Sequence, residues 1–109
     1  MKELDFNEKD GVLTASLSGE LDHCLAAAVR ERIDEKVYEK RPAALVLDIS
    51  GVSFMDSSGL GLIMGRYTVC RACGCAFSLC GADERAVKIL SLAGLDKVIT
   101  VCERKGGTE

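Results

Sequence analysis

A short and almost continuously apolar segment, Ala43 to Ile49, constrains the fold of this chain more than any other feature. An unbroken run rich in Val, Leu and Ile is typical of a central strand that is buried on both faces of its sheet. Segments with helical periodicity precede and follow it. Strands that alternate with helices predict an α/β layer structure whose crossovers connect parallel strands.

The segment before this strand predicts a β-hairpin and a helix. Two alternating runs flank the turn Lys9-Asp10-Gly11, and Gly19 should end the second strand. Asp22 is a suitable N-cap for a helix that should stop at Arg41-Pro42, because the residue before a proline disfavours helical angles. The residues at helical spacing that should face the core are Ala26, Val29, Ile33 and Val37.

The segment after this strand predicts a loop, two further helices and two further strands. Residues 50–56 should form the loop. A second helix should start near Ser57 and end by Gly74, and a third should run from its N-cap Asp83 to Gly94. Strands are expected at residues 75–80 and 97–102. The residues expected on the inner faces are Leu60, Ile63, Met64 and Tyr67 in the second helix, and Ala86, Ile89, Leu90 and Ala93 in the third.

The fold class that results is α/β. We expect a single domain over residues 1–109, with a mixed, mostly parallel sheet of about five strands, an N-terminal hairpin and three or four helices. The length suits one hydrophobic core. Residues 103–109 should form a short polar tail.

Composition and charge argue against several classes of function. The 109 residues are 48% apolar and 28% charged, with a formal net charge of -3, and they lack the clustered Lys and Arg that nucleic-acid binding requires. The longest strongly apolar stretch, Leu60 to Met64, is too short to cross a membrane, and Met1-Lys2-Glu3 does not begin a signal peptide. We therefore expect a cytoplasmic protein with no direct nucleic-acid or membrane partner, whose cysteines are reduced.

The run from Asp56 to Gly61 is the strongest candidate for a functional site, because it lies where a buried strand leads into a helix. Serine caps helices well, but Ser57 and Ser58 stand together and neither has Glu or Gln three residues later, so they form no capping box. Gly59 and Gly61 each weaken the first helical turn by up to about 1 kcal/mol, yet their small size lets a partner approach closely. The pattern favours a binding site.

Two neighbouring features have both an ordinary and a functional interpretation. Phe54 and Met55, which precede the serines, should either anchor the site in the core or contact a partner. Asp22 is a helix cap and His23 a solvated first-turn residue in the ordinary interpretation, and the functional alternative makes Asp22 a partner contact.

The run from Val52 to Gly61, Val-Ser-Phe-Met-Asp-Ser-Ser-Gly-Leu-Gly, resembles the signature of the STAS-domain anti-sigma factor antagonists. Gly19-Glu20-Leu21-Asp22-His23 resembles a second motif of that family. Gly65-Arg66-Tyr67 and Ala93-Gly94-Leu95 also fall where the family has similar residues. The resemblance covers nearly the whole chain in order and spacing.

The resemblance implies a protein-binding switch, and we expect no enzymatic activity, catalytic residue, cofactor or metal. In this family, an anti-sigma factor that is also a serine kinase holds either a sigma factor or the antagonist. The resemblance implies that the unphosphorylated chain captures the kinase and frees sigma, that phosphorylation at Ser57 blocks capture, and that a phosphatase resets the switch. The residues expected to contact the partner are Asp22, Asp56, Ser58, Gly59 and Gly61. Members commonly end with a further helix, which the short tail of this chain should lack.

Other interpretations fit the sequence less well. A hydrolase would need Gly-x-Ser-x-Gly around a serine and a base, for which His23 is the only histidine. Gly59, Gly61 and Gly65 do not have the spacing of a dinucleotide-binding motif. Asp48 could be the phosphoacceptor of a receiver domain, but the acidic pair that a receiver needs after its first strand is missing. Cysteines 70, 73, 75 and 80 could ligate zinc or an iron–sulfur cluster, but strand alternation puts Cys75 and Cys80 on opposite faces. A STAS scaffold or small-ligand sensor without phosphoswitch activity is the main alternative.

Overall fold

The elements of the chain follow the order that the alternation predicts. The computed structural model describes residues 1–103, so the predicted tail and the question of a C-terminal helix lie outside the described residues. The elements are β1 (Leu4–Lys9), β2 (Val12–Leu21), α1 (His23–Lys40), β3 (Ala44–Met55), α2 (Ser57–Ala72), β4 (Ala76–Ala82), α3 (Glu84–Leu92), a 3-10 turn (Leu95–Lys97) and β5 (Thr100–Glu103).

The five strands form one sheet in the order β1-β2-β3-β4-β5. The β1–β2 hairpin is antiparallel, and every later pair is parallel. Since β-α-β crossovers are right-handed and each one here advances by one strand in the same direction, the helices gather on one face of the sheet. The predicted fold class, a mixed sheet with an N-terminal hairpin in a single α/β domain, is confirmed.

The core lies between this face of the sheet and the helices. Leu13, Leu45 and Leu79 point to this face and are buried. Val46, on the opposite face, is only half-buried. The expectation that β3 is buried on both faces is therefore wrong. Because all the crossovers have the same handedness and advance in the same direction, the opposite face of the sheet carries no helix among residues 1–103. No helix in this range is both long and apolar enough to span a bilayer.

The strands β2 and β3 are longer than the sequence predicts. Gly19 does not end β2 but takes a positive φ of 93° beside two register shifts, and the strand continues to Leu21. Residues 50–55, predicted to lie in a loop, instead extend β3 along β2. The β3–β4 pairing ends at Asp48 and Cys80. Beyond that point β2 and β3 form a two-stranded ribbon, residues 18–21 paired with residues 51–55, which we call the β2–β3 ribbon.

Gly81 of β4 lies close to residues 48–50 of β3 at the point where the pairing of these two strands ends. The Asp48 carboxylate accepts hydrogen bonds from the Ser50 backbone N–H (2.9 Å) and hydroxyl (2.7 Å). Gly81 lies against the hydrogen-bonded residues Asp48 and Ser50 and has a φ of +78°. A Cβ at Gly81 would come within 2.6 Å of the Ser50 nitrogen. A side chain at residue 81 would therefore push the strands apart or strain the backbone.

The helix caps agree with prediction better than the inner faces do. Asp22 accepts from the Leu25 N–H (3.0 Å) and Asp83 from the Ala86 N–H (2.8 Å). In α1 all four predicted inner residues are buried, but Met64 of α2 and Ala93 after α3 are exposed. Those two expectations are wrong. The inner stripe of α2 is rotated because α2 packs on α1 as well as on the sheet, and its buried side chains are Leu62, Ile63, Arg66 and Cys70.

An ion pair crosses the contact between α1 and α2. The Arg66 Nε lies 2.9 Å from the Asp34 carboxylate, and Arg66 is only 5% exposed. Burial lowers the pKa of Arg66 and raises the pKa of Asp34, and in each case the opposite charge of the partner counteracts the effect of burial. The Arg66 Nε–H does not point at the Asp34 oxygen well enough to form a hydrogen bond. Within residues 1–103, Arg66 Nη1 also has no hydrogen-bond partner. Loss of either residue would leave the other charge poorly compensated.

Replacing Gly81 with alanine should destabilise the fold more than the same change at Gly74. Both glycines have positive φ, but a Cβ at Gly74 meets nothing within 4 Å. We expect a loss of about 1 kcal/mol for Gly74→Ala from backbone strain alone and about 3 kcal/mol for Gly81→Ala, where overpacking adds to it. Urea unfolding measures both values, and equal losses would contradict the proposed contact.

Candidate functional site

The β2–β3 ribbon brings the N-termini of two helices together. Leu21 and Met55 are paired neighbours at the end of the ribbon. The next residues, Asp22 and Asp56, are the N-caps of α1 and α2. Because β2 and β3 are parallel, both helices start at the same edge of the sheet. The two motifs that the sequence singled out, separated by about thirty residues, thus lie side by side.

Asp56, rather than a serine, caps α2. Its carboxylate accepts a hydrogen bond from the Ser58 N–H at 2.8 Å, and its backbone is extended, as an N-cap requires. Ser57 is exposed at the first helical position. Its hydroxyl makes no hydrogen bond to any residue of the described range 1–103. The cap is therefore complete without this hydroxyl, which is left open to solvent.

Ser58 has different surroundings from Ser57. It is half-buried and lines a groove of about 300 Å³ between the N-terminal halves of α1 and α2. His23, Ala27, Arg30 and Gly61 also line this groove. Within residues 1–103 no hydrogen bond joins His23 to either serine.

The two glycines of the motif have different roles. Gly59 is buried, and a Cβ at this position would collide with the Met55 side chain and come within 3.2 Å of Leu21. Its small size allows close packing against the ribbon, and its contact with a partner stays a prediction. Gly61 is exposed with nothing within 4 Å, which keeps it a candidate for partner contact.

Gly61 and Gly65, four residues apart in α2, do not pack closely against the sheet. A Cβ at either position would meet nothing within 4 Å. Both glycines lie inside α2, so they weaken the helix without a packing benefit in the isolated chain.

An exposed apolar surface adjoins Ser57. Met55 is half-buried and packs on the core, as the anchor alternative expects. Phe54 is 43% exposed, and its contact with a partner stays a prediction. On α2, Gly61 and Met64 follow Ser57 at positions i+4 and i+7, which lie on one helical face, and Met64 is 39% exposed. We call Phe54, Ser57, Gly61 and Met64 the Ser57 surface.

Helix α3 also contributes to this edge, which was not predicted from the sequence. A small cleft beside Phe54 is lined by Asp83, Arg85 and Ile89. The available signal was the N-cap Asp83, which follows β4 directly. The carboxyl ends of parallel strands meet at one edge of a sheet, so the helix that follows β4 starts at the same edge as α1 and α2.

The cysteines do not form a metal centre in the described range. Residues 1–103 contain no group of three or more His, Cys, Asp or Glu placed to hold a metal ion. Burial raises the pKa of Cys70 to about 12 and that of Cys80 to about 11. Both thiols are therefore protonated at neutral pH in the metal-free protein.

Comparisons with known proteins agree with this geometry. The family model of the STAS domain matches residues 3–106. The anti-sigma F factor antagonist of Paenibacillus polymyxa is 33% identical over 103 residues, covering 94% of this chain and 88% of its own. A crystal structure of an anti-sigma factor antagonist from Mycobacterium paratuberculosis has 29% identity and a TM-score of 0.78, covering 91% of this chain and 83% of its own. The Bacillus cell fate determinant SpoIIAA, solved in its phosphorylated form, has 24% identity and a TM-score of 0.72, covering 90% of this chain and 89% of its own.

The chain belongs to the STAS domain family. This membership confirms the resemblance drawn from the two sequence motifs, and the relatives it matches are anti-sigma factor antagonists.

Alanine substitutions at Gly59 and Gly61 should have opposite effects on stability. Gly59→Ala forces Met55 to move and should cost about 1–2 kcal/mol. Gly61→Ala adds a better helix former in open space and should gain up to about 1 kcal/mol. Urea unfolding of the two variants measures both changes. A destabilised Gly61→Ala protein would show that residue 61 packs against something other than solvent.

Proposed function

We propose that this protein is an anti-sigma factor antagonist controlled by phosphorylation. In this proposal the unphosphorylated form binds, in the cytoplasm, an anti-sigma factor that is also a serine kinase, and so releases a sigma factor. Phosphorylation of Ser57 blocks that binding, and a phosphatase restores it. The observation that carries the proposal is the exposed Ser57 hydroxyl at the start of α2, which Asp56 leaves free by supplying the cap itself.

The unphosphorylated Ser57 surface is suited to a protein partner. Phe54 precedes Ser57 by three residues and Met64 follows it by seven, and both are large apolar side chains that are exposed. Aromatic residues and methionine are enriched at protein interfaces, where their burial contributes most of the binding energy. Gly61 between them lets a partner backbone approach α2 closely.

A phosphate on Ser57 would alter this surface without unfolding the domain. It adds about -1.5 to -2 charges next to the Asp56 carboxylate, which the Ser58 N–H holds in place as the cap. A partner that covers the site would desolvate two adjacent anions, which is costly. The positive end of the α2 dipole partly stabilises the phosphate in the free protein. Repulsion therefore acts on the interface, while the core is unaffected.

Ser57 is a better phosphoacceptor than Ser58. Ser57 is exposed, whereas Ser58 is half-buried in the groove between α1 and α2. A kinase must bring the hydroxyl to the γ-phosphate of its nucleotide, which the open position of Ser57 allows without local unfolding.

The first turn of α1 completes the proposed interface. Asp22 is engaged as the cap of α1, so its part is to hold the exposed residue His23 beside the start of α2. Asp56 and Ser58 have a corresponding positioning role in α2, because the hydrogen bond between them holds Ser57 in place at the helix start.

A small-ligand sensor is the second candidate function. The groove of about 300 Å³ that contains His23, Arg30 and Ser58 favours it. Recovery from native cells separates the two candidates: an ATP-binding serine kinase co-purifies with an antagonist, whereas a sensor domain does not need one.

The phosphoacceptor assignment predicts a single labelled residue. Incubation of the purified protein with its cognate kinase and ATP should add one phosphate, which mass spectrometry locates on Ser57. Ser57→Ala should abolish the labelling, and Ser58→Ala is the matched control that should retain it. Labelling that persists in Ser57→Ala and is lost in Ser58→Ala would refute the assignment.

A further inference from the structure

The C-terminal end of α2 holds a pair of buried thiols that the proposed function does not use. Gly74 follows α2 with φ +71°. The Cys75 N–H donates to the Cys70 carbonyl at 2.8 Å, and the Gly74 N–H donates to the Arg71 carbonyl at 3.4 Å. These two bonds define a Schellman motif, in which the residue after the glycine packs on the third residue from the helix end.

Cysteines occupy both positions of that contact. Cys70 is 0% and Cys75 is 6% exposed. The two thiols are close enough to influence each other's pKa, and the Cys75 thiol donates a hydrogen bond to the Ala76 carbonyl at 3.4 Å. A Schellman contact is usually made by two apolar side chains. Here the motif places two cysteine side chains at one contact, and its two backbone hydrogen bonds fix the helix end that carries them. Disulfide formation requires two cysteines held close together in this way.

We propose that Cys70 and Cys75 form a reversible disulfide when the protein meets hydrogen peroxide. The bond joins the last turn of α2 covalently to the residue that precedes β4. It lies at the end of α2 opposite Ser57, so it stabilises the helix without altering the phosphoacceptor.

The reaction balances with peroxide as the oxidant. The Cys75 sulfur attacks one peroxide oxygen, the O–O bond breaks, and a sulfenic acid and one water form. The Cys70 sulfur then attacks the Cys75 sulfur, the S–O bond breaks, and a second water leaves with the Cys70 proton. The two thiols lose two electrons, which reduce peroxide to water. Cys75 reacts first because it is the more exposed of the two.

The pair should react slowly and in a pH-dependent way. Burial raises the pKa of both thiols, that of Cys70 to about 12. The thiolate is the reactive form, so the rate should rise as the pH increases from 7 to 9. The half-buried Cys73, which lies between them in sequence, is the competing partner.

Tryptic mapping of the oxidised protein tests the disulfide. Cleavage after Arg66, Arg71 and Arg85 places Cys70 alone in peptide 67–71, and Cys73, Cys75 and Cys80 in peptide 72–85. After peroxide treatment and blocking of free thiols, the two peptides should appear joined, and dithiothreitol should separate them. Fragment spectra of the joined pair from the unmodified sequence should place the bond on Cys75.

Variants provide the matched comparison. Cys73→Ser should keep the joined pair, and Cys75→Ser should lose it; circular dichroism checks that both are folded. The absence of a joined pair from the unmodified sequence would overturn the proposal. Fragment spectra that place the bond on Cys73 or Cys80 would also overturn the proposal. This measurement uses the unmodified sequence, so it does not depend on the folding of a variant.

Discussion

The pairing of β2 with β3 beyond the end of β4 is the interaction on which the site depends. The β3–β4 pairing stops at Asp48 and Cys80, while the β2–β3 pairing continues to Leu21 and Met55. The hydrogen bonds between Asp48 and Ser50, and the absence of a side chain at Gly81, allow β3 and β4 to separate at this point. Without it, α1 and α2 would start farther apart, and the two motifs that mark the family would not share a surface.

Within this frame the capping of α2 determines what Ser57 can do. A helix start leaves backbone N–H groups that need an acceptor, and a serine side chain commonly supplies it. Here the Asp56 carboxylate supplies it to Ser58, so Ser57 can be modified without loss of the cap. The same hydrogen bond holds a negative charge beside the serine, which increases the effect of a phosphate on a bound partner.

Much of this fold follows from the sequence, because its signals are local. The Asp22 and Asp83 caps, the buried face of α1 and the antiparallel hairpin depend on spacing within one element. The errors arise where one element meets another. Gly19 marks a bulge because β3 supports the strand past it, and Met64 is exposed because α2 also packs on α1 through Arg66.

The candidate site shows the same division. The sequence identified Ser57 and its neighbours, but it could not tell which glycine is buried. Gly59 faces Met55 and Gly61 faces open space, a difference set by the position of the ribbon rather than by helix propensity. The role of α3 beside Phe54 was missed for a similar reason, since it depends on the shared edge of parallel strands.

Calorimetric titration of the partner kinase with the unmodified protein and with its Ser57-phosphorylated form tests the central claim most directly. We expect phosphorylation to weaken binding at least tenfold, or by about 1.4 kcal/mol or more, while circular dichroism and the urea unfolding midpoint stay close to those of the unmodified protein. Equal affinity of the two forms would contradict the phosphoswitch at Ser57, and so would a loss of binding that is accompanied by unfolding.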